Sequence, residues 1–154
     1  MIKKLLLISA LLISTSSIAY DFLPNKNLTP GKAASTNVAE VCVKDYAIKS
    51  RNVTQSTKIK VYKQYGVSVD TCRKGCKIDH LIPLSIGGSN DITNLWPHEY
   101  GAEWTVFEKT RLEVLLRKEI CNSGMPIAEA QSCIATNWTT CYNKFYPNQH
   151  KAKK

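Results

Sequence analysis

The chain has 154 residues, with 21 Lys and Arg against 12 Asp and Glu and a formal net charge of +9. That length fits one domain with a real core rather than several. The positive balance excludes an acidic, self-solvating chain and fits a polyanionic partner, because phosphates attract Lys and Arg and release counterions on binding.

In chain order, MIKK is a short basic start and LLLISALLIS an apolar run of the length a secretory leader uses, too short for a membrane anchor; Ser17-Ile18-Ala19 then offers small residues at the cleavage-defining positions. The expectation is a signal peptide over 1–19 and export to the periplasm or the medium. Without Lys3 and Lys4 the balance is 19 against 12, or +7. Residues 20–40 are rich in Asn, Thr, Ser, Pro and Gly and read as a flexible lead-in. The domain is expected over 41–147, and 148–154 as a basic, solvated tail.

Within the domain, VCVKDYAI alternates and predicts a strand, while STKIKVYKQYG predicts a short helix stopping at Gly66. Cys72 to Pro97 reads as strand, loop, strand. Two helical segments follow, joined by NSGMP, in which Gly124 ends the first and Pro126 opens the second. Leu112, Leu115, Leu116 and Ile120 share one face of the first; Ile127, Ala130, Ile134, Trp138 and Cys141 share one face of the second. Trp138 on such a stripe is assigned to the core.

Six cysteines (Cys42, Cys72, Cys76, Cys121, Cys133, Cys141) follow the leader. An even count in an exported chain predicts disulfides, for which fifteen pairings exist. Cys72 and Cys76 fit either a local bridge or half of a zinc site. The absence of cysteine between Leu95 and Ile120 favours the bridge.

The stretch CKIDHLIPLSIGGSNDITNLWP (76–97) carries the chemistry. Ile78, His80 and Ile82 alternate with Lys77, Asp79 and Leu81, so Asp79 and His80 point apart unless the strand bulges. A bulge beside Pro83 is expected, since Pro83 cannot continue a central strand. IGGSND supplies a flexible turn through Gly87 and Gly88 and the self-bonding side chains of Ser89, Asn90 and Asp91. ITNLWP returns as a second strand that brings Asn94 near the Asp-His pair.

On DHLIPLSIGGSNDITNLWP the chain resembles the HNH endonucleases, and more narrowly the small exported bacterial HNH proteins. Further blocks agree in order and spacing: Thr29-Pro30-Gly31, the Cys42 segment, then Trp104, Lys109, Leu112 and Glu113 on one helix, Cys121 and Gly124 at its end, and Ala130, Gln131 and Trp138 on the next. The resemblance covers nearly all of the chain after the leader. It implies an α+β single domain with a ββα-metal (HNH) core, a hairpin plus helix around one divalent cation, and additional helices.

It also implies a metal-dependent endonuclease that hydrolyses phosphodiester bonds in DNA or RNA with little sequence specificity. His80 carries over as general base, Asn94 as the brace of hairpin and base, and Asp79 as a ligand of magnesium or manganese. Lys109, with Lys77 and Arg111, would hold the nucleic-acid backbone. The chain departs from the family where the helix begins: Thr105 stands at the position commonly Asn or His, and Thr110 at that of an Asp. His98 and Glu103 are nearby candidates to compensate, His98 as a backup metal ligand. A second function class is a non-catalytic relative that binds nucleic acid or another polyanion. In either class the chain is expected to be a monomer, free of the membrane after leader cleavage; the sequence identifies no neutralising partner.

Overall fold

The computed structural model describes residues 23–150; the expected leader and residues 151–154 of the basic tail lie outside the described residues. Helices α1 (Val38–Val41), α2 (Tyr46–Ser50), α3 (Gln55–Gln64) and α4 (Val69–Gly75) lead into strand β1 (Cys76–His80). Two 3-10 turns, Leu84–Ile86 and Ile92–Asn94, separate β1 from β2 (Leu95–Glu99), and α5 (Val106–Ser123) and α6 (Ile127–Phe145) close the order. The class is α+β, a single compact domain.

The two long helices form where their termini and apolar stripes predict. α5 begins at a capping box, in which the Thr105 hydroxyl accepts from the Phe107 amide and the Glu108 carboxylate accepts from the Thr105 amide. It ends at Gly124, whose φ of 76° suits a residue without Cβ. Leu112, Leu116 and Ile120 are buried against Ile127, Ala130, Ile134 and Trp138 of α6, around Leu81, Ile86 and Trp96. Each such aliphatic side chain contributes about 2 kcal/mol by leaving water. α6 is interrupted at Asn137, whose φ and ψ are −165° and 103°; its side-chain oxygen accepts from the Thr139 and Thr140 amides and restarts the helix. Lys26 donates to the Ala135 and Thr136 carbonyls freed by that break.

Three disulfides join Cys42 to Cys121, Cys72 to Cys76, and Cys133 to Cys141. The local Cys72–Cys76 bridge ties α4 to the first residue of β1. Among the described residues no helix is long and apolar enough to cross a membrane.

Three expectations change. VCVKDYAI is not a strand but the end of α1 and most of α2. Its alternation does not track burial, since Val43 and Ile48 are exposed, and the Val41 and Val43 carbonyls are taken by Arg117 of α5 rather than by a neighbouring strand. The lead-in is held rather than flexible from Leu23 on. The fully buried Thr29 donates to the Leu95 carbonyl at 2.8 Å, and Gly31, Ala34 and Ser35 donate backbone bonds to Thr93 and Gly87. The Gly87-Gly88 pair is a point of close approach, not slack: a Cβ on Gly88 would lie 1.8 Å from the Ile82 carbonyl oxygen, and one on Gly87 2.2 Å from that of Ser35.

Candidate functional site

β1 and β2 pair antiparallel without a bulge: Cys76 faces Glu99, Lys77 His98, Ile78 Pro97, Asp79 Trp96 and His80 Leu95. The expected bulge is absent because Pro83 lies beyond the strand end, where the chain has already turned away. Regular pleating then places Lys77, Asp79, Trp96 and His98 on one face and Cys76, Ile78 and His80 on the other. The two titratable groups of the motif work in different surroundings.

Asp79 is buried and faces His98, whose Nδ1 lies 2.9 Å from its Oδ2. Its Oδ1 accepts from the His80 amide at 3.0 Å, and Lys77 Nζ is 3.6 Å away. Burial pushes the carboxyl up, but the His98 hydrogen bond and the charges of Lys109 and Lys77 outweigh it and hold Asp79 below the usual carboxylate range. The other nitrogen of His98, Nε2, is 3.0 Å from the Trp104 carbonyl oxygen. Each ring nitrogen of His98 thus has a hydrogen-bond partner, Asp79 on one side and the Trp104 carbonyl on the other. The chain Asp79–His98–Trp104 thereby links β1, β2 and the residue before the α5 cap.

His80, 3 % exposed, occupies the opposite face. Its Nε2 lies 3.1 Å from Asn90 Oδ1. The orientation of that amide is fixed by the backbone, because Asn90 Nδ2 donates to the Ser50 carbonyl at 2.8 Å and Oδ1 also accepts from the Asn52 amide at 3.2 Å. Nε2 must therefore carry the proton. Nδ1, which has no hydrogen-bond partner among the described residues, is left with its lone pair. Burial, with the Arg51 and Lys109 charges, pulls His80 down to about 4 against the opposing Asn90 and Asp79 interactions. The ring is a neutral base at neutral pH.

Asn94 bonds to the backbone of the loop after β1 and not to the imidazole. Its side chain accepts from the Ile82 amide at 2.9 Å and donates to the Ile82 and Ser89 carbonyls, while its own carbonyl accepts from Leu81 at 2.8 Å. It fixes the backbone that follows His80.

The expected nucleic-acid contacts fall in three different places. Lys109 is fully buried: Nζ donates to the His80 carbonyl at 3.0 Å and to Glu113 at 2.7 Å, and lies 5.5 Å from the Trp96 ring centre. Its charge clamps α5 to the end of β1 and does not reach solvent. Arg111 stacks on Tyr146 at 4.0 Å. Lys77 lines an open cleft beside the sheet.

The donors do not fit a resident divalent ion. Thr105 is spent on the α5 cap, both nitrogens of His98 are engaged elsewhere, and Glu103 faces His150 at 3.8 Å. Asp79 is left as a single carboxylate already ringed by cations. Among the described residues no group of three or more His, Cys, Asp or Glu converges as ligands would.

Asn90 is the residue that sequence reasoning passed over, because turn chemistry after Gly87-Gly88 accounts for an Asn there. Its signal is positional only: ten residues after His80, it returns to the strand end from which the loop departs. Comparison of the chain with protein-family models, with curated proteins and with solved structures returned no match.

Proposed function

We propose that the chain is an exported, HNH-like hydrolase acting on phosphodiester bonds of DNA or RNA, with His80 as general base. One observation carries the reading: a buried, neutral imidazole whose proton is fixed on Nε2 by Asn90, leaving Nδ1 to accept a proton from water. The activated water would attack phosphorus as His80 Nδ1 takes its proton, and the sugar oxygen would depart with a proton from solvent, with the Arg51 cation, whose field reaches His80, opposing the charge that builds on the phosphate. Contacts of this kind position a backbone without reading bases, so little sequence preference is expected. Export is supported by three disulfides, which need an oxidising compartment.

A second reading is favoured by the committed state of Asp79, His98 and Thr105: a relative that keeps the hairpin and binds nucleic acid without cutting it. The resemblance implies magnesium or manganese as cofactor. The donor set gives no support to a resident ion, so metals belong in the test. Purified protein is incubated with supercoiled plasmid in magnesium, manganese, nickel or chelator, with a gel-shift assay alongside. Nicking in any condition supports the hydrolase; retained binding with no nicking in every condition overturns it in favour of the binder.

A further inference from the structure

The sheet face that carries His80 adjoins a cleft of about 390 Å³. Its walls follow from local periodicity. On α3, Gln55, Lys58 and Tyr62 recur at helical spacing and share a face; on α4, Val69 and Arg73 do the same. The Cys72–Cys76 bridge pins α4 against β1, so the residues Cys76 to Ile78 form the third wall.

Four cations line this cleft, Arg51, Lys58, Arg73 and Lys77, and the lining includes no Asp or Glu. Among the described residues Arg51, Lys58 and Arg73 have no ion-pair partner; Lys77 alone reaches a carboxylate, Asp79 at 3.6 Å. Concentrating unpaired like charges around a concavity costs stability through repulsion, and an anionic occupant relieves it. Gln55 apart, the remaining lining is apolar: Val53, Val69, Ile78, the bridged Cys76 and the Tyr62 ring. A duplex presents only phosphates to such a cleft, because its bases are stacked and paired inside the rod. An unpaired strand presents phosphate to the cations and a base to the apolar wall.

The size falls within the range of about 300–1,000 Å³ typical of small-ligand pockets. The cleft is also joined to the base. Asn90 bonds to Ser50 and Asn52, the residues on either side of Arg51, and to His80 Nε2.

We propose that this cleft is a nucleotide subsite for an unpaired strand, with Arg51, Lys58, Arg73 and Lys77 gripping phosphates next to the one facing His80. The proposal rests on the reading of the chain as acting on nucleic acid, and it predicts a preference for single-stranded or locally unpaired substrate.

The test is fluorescence anisotropy with a labelled single-stranded oligonucleotide and its duplex, in chelator. Wild type is compared with Lys58→Gln/Arg73→Gln and with a control, Lys118→Gln, on exposed α5 surface; thermal unfolding confirms that all are folded. The expected result is tighter binding of the single strand than of the duplex by wild type and control. The double variant should lose about tenfold or more, with a salt slope shallower by about 1.4, the value for two lost phosphate contacts to a single strand. Equal single-strand binding by wild type and double variant, or tighter binding of the duplex, overturns the proposal. Loss of binding in the double variant of a protein that never cuts would keep the cleft and remove the hydrolase. Cutting by wild type with an unchanged KM in the double variant would do the reverse.

Discussion

Asn90 and His80 meet at 3.1 Å between Oδ1 and Nε2, and the amide that makes this bond is held by backbone groups on both sides. If His80 is the base proposed above, Asn90 is a positioning residue that sets its tautomer. Asn90→Leu should lower the cleavage rate by between about tenfold and the whole ~10²–10⁴-fold contribution of a general base. Asn90→Asp should instead move the acid limb of the pH–rate profile upward, because a carboxylate at that distance favours imidazolium. A rate loss with no movement of the limb in Asn90→Asp would reduce Asn90 to a structural role.

The depressed His80 value has consequences for both rate and stability. The folded ring titrates near 4 and the unfolded ring near the ordinary histidine value of 6.5, so between these pH values the unfolded chain binds more protons. The stabilisation is complete above pH 6.5 and is lost as pH falls toward 4, by on the order of 3 kcal/mol. Asp79, held low, adds a further loss at more acidic pH. Urea unfolding of wild type and His80→Gln across pH 4–7 checks this: the wild-type dependence in that window should flatten in the variant. Activity should show its acid limb near pH 4, and a limb near 6.5 would mean that His80 is solvated in solution.

Thr105 is an N-cap here. Thr105→Ala should cost about 1 kcal/mol, measured by chemical denaturation. Thr105→Asn keeps a good cap and introduces the residue common at this position in the HNH endonucleases that the sequence resembles, so it should leave stability within a few tenths of a kcal/mol. If Asn at this position supplies a ligand oxygen beside Asp79, it should also raise magnesium- or manganese-dependent cleavage above wild type.

Lys109 is fully buried and Glu113 partly so. Lys109→Met removes the clamp on the His80 carbonyl and strands a carboxylate, so it should destabilise the fold by about 2–4 kcal/mol. Lys109→Met/Glu113→Leu should recover part of that loss, since the stranded charge goes too. Both midpoints come from urea melts. An unchanged midpoint in the single variant would contradict the buried placement.

Among the disulfides, Cys42–Cys121 closes a sequence separation of 79 and Cys133–Cys141 one of 8. On the chain-entropy model, removing the first should cost about 4.5 kcal/mol and the second about 2.5. Paired Cys→Ser variants in denaturant test the order, which would be reversed if the short bridge across the α6 break did most of the stabilising.

The parts of this molecule legible in the sequence are those set by local periodicity. Leu112, Leu116 and Ile120, then Ile127, Ala130, Ile134 and Trp138, announce α5 and α6, and Gly66 and Gly124 mark where helices stop. The parts misread are those set at long range. Thr29 is ordered by a carbonyl 66 residues away, and VCVKDYAI is held by Arg117 and by Cys121, so neither shows in its own composition. At the candidate site, the placement of Asp79 and His80 on opposite faces follows from period-two alternation. What alternation cannot convey is that one face leads to a buried hydrogen bond with His98 and the other to Asn90 and a cationic cleft.

The central claim is that His80 Nδ1 is the base for phosphodiester hydrolysis. The most direct measurement is the initial rate of plasmid nicking by wild type, His80→Ala and His80→Gln, in whichever ion or chelator condition is most active, with near-UV circular dichroism confirming the fold of each. Wild type should nick, and both variants should fall by about 10²-fold or more while still binding the plasmid. Variants that are folded and cut at the wild-type rate would contradict the claim.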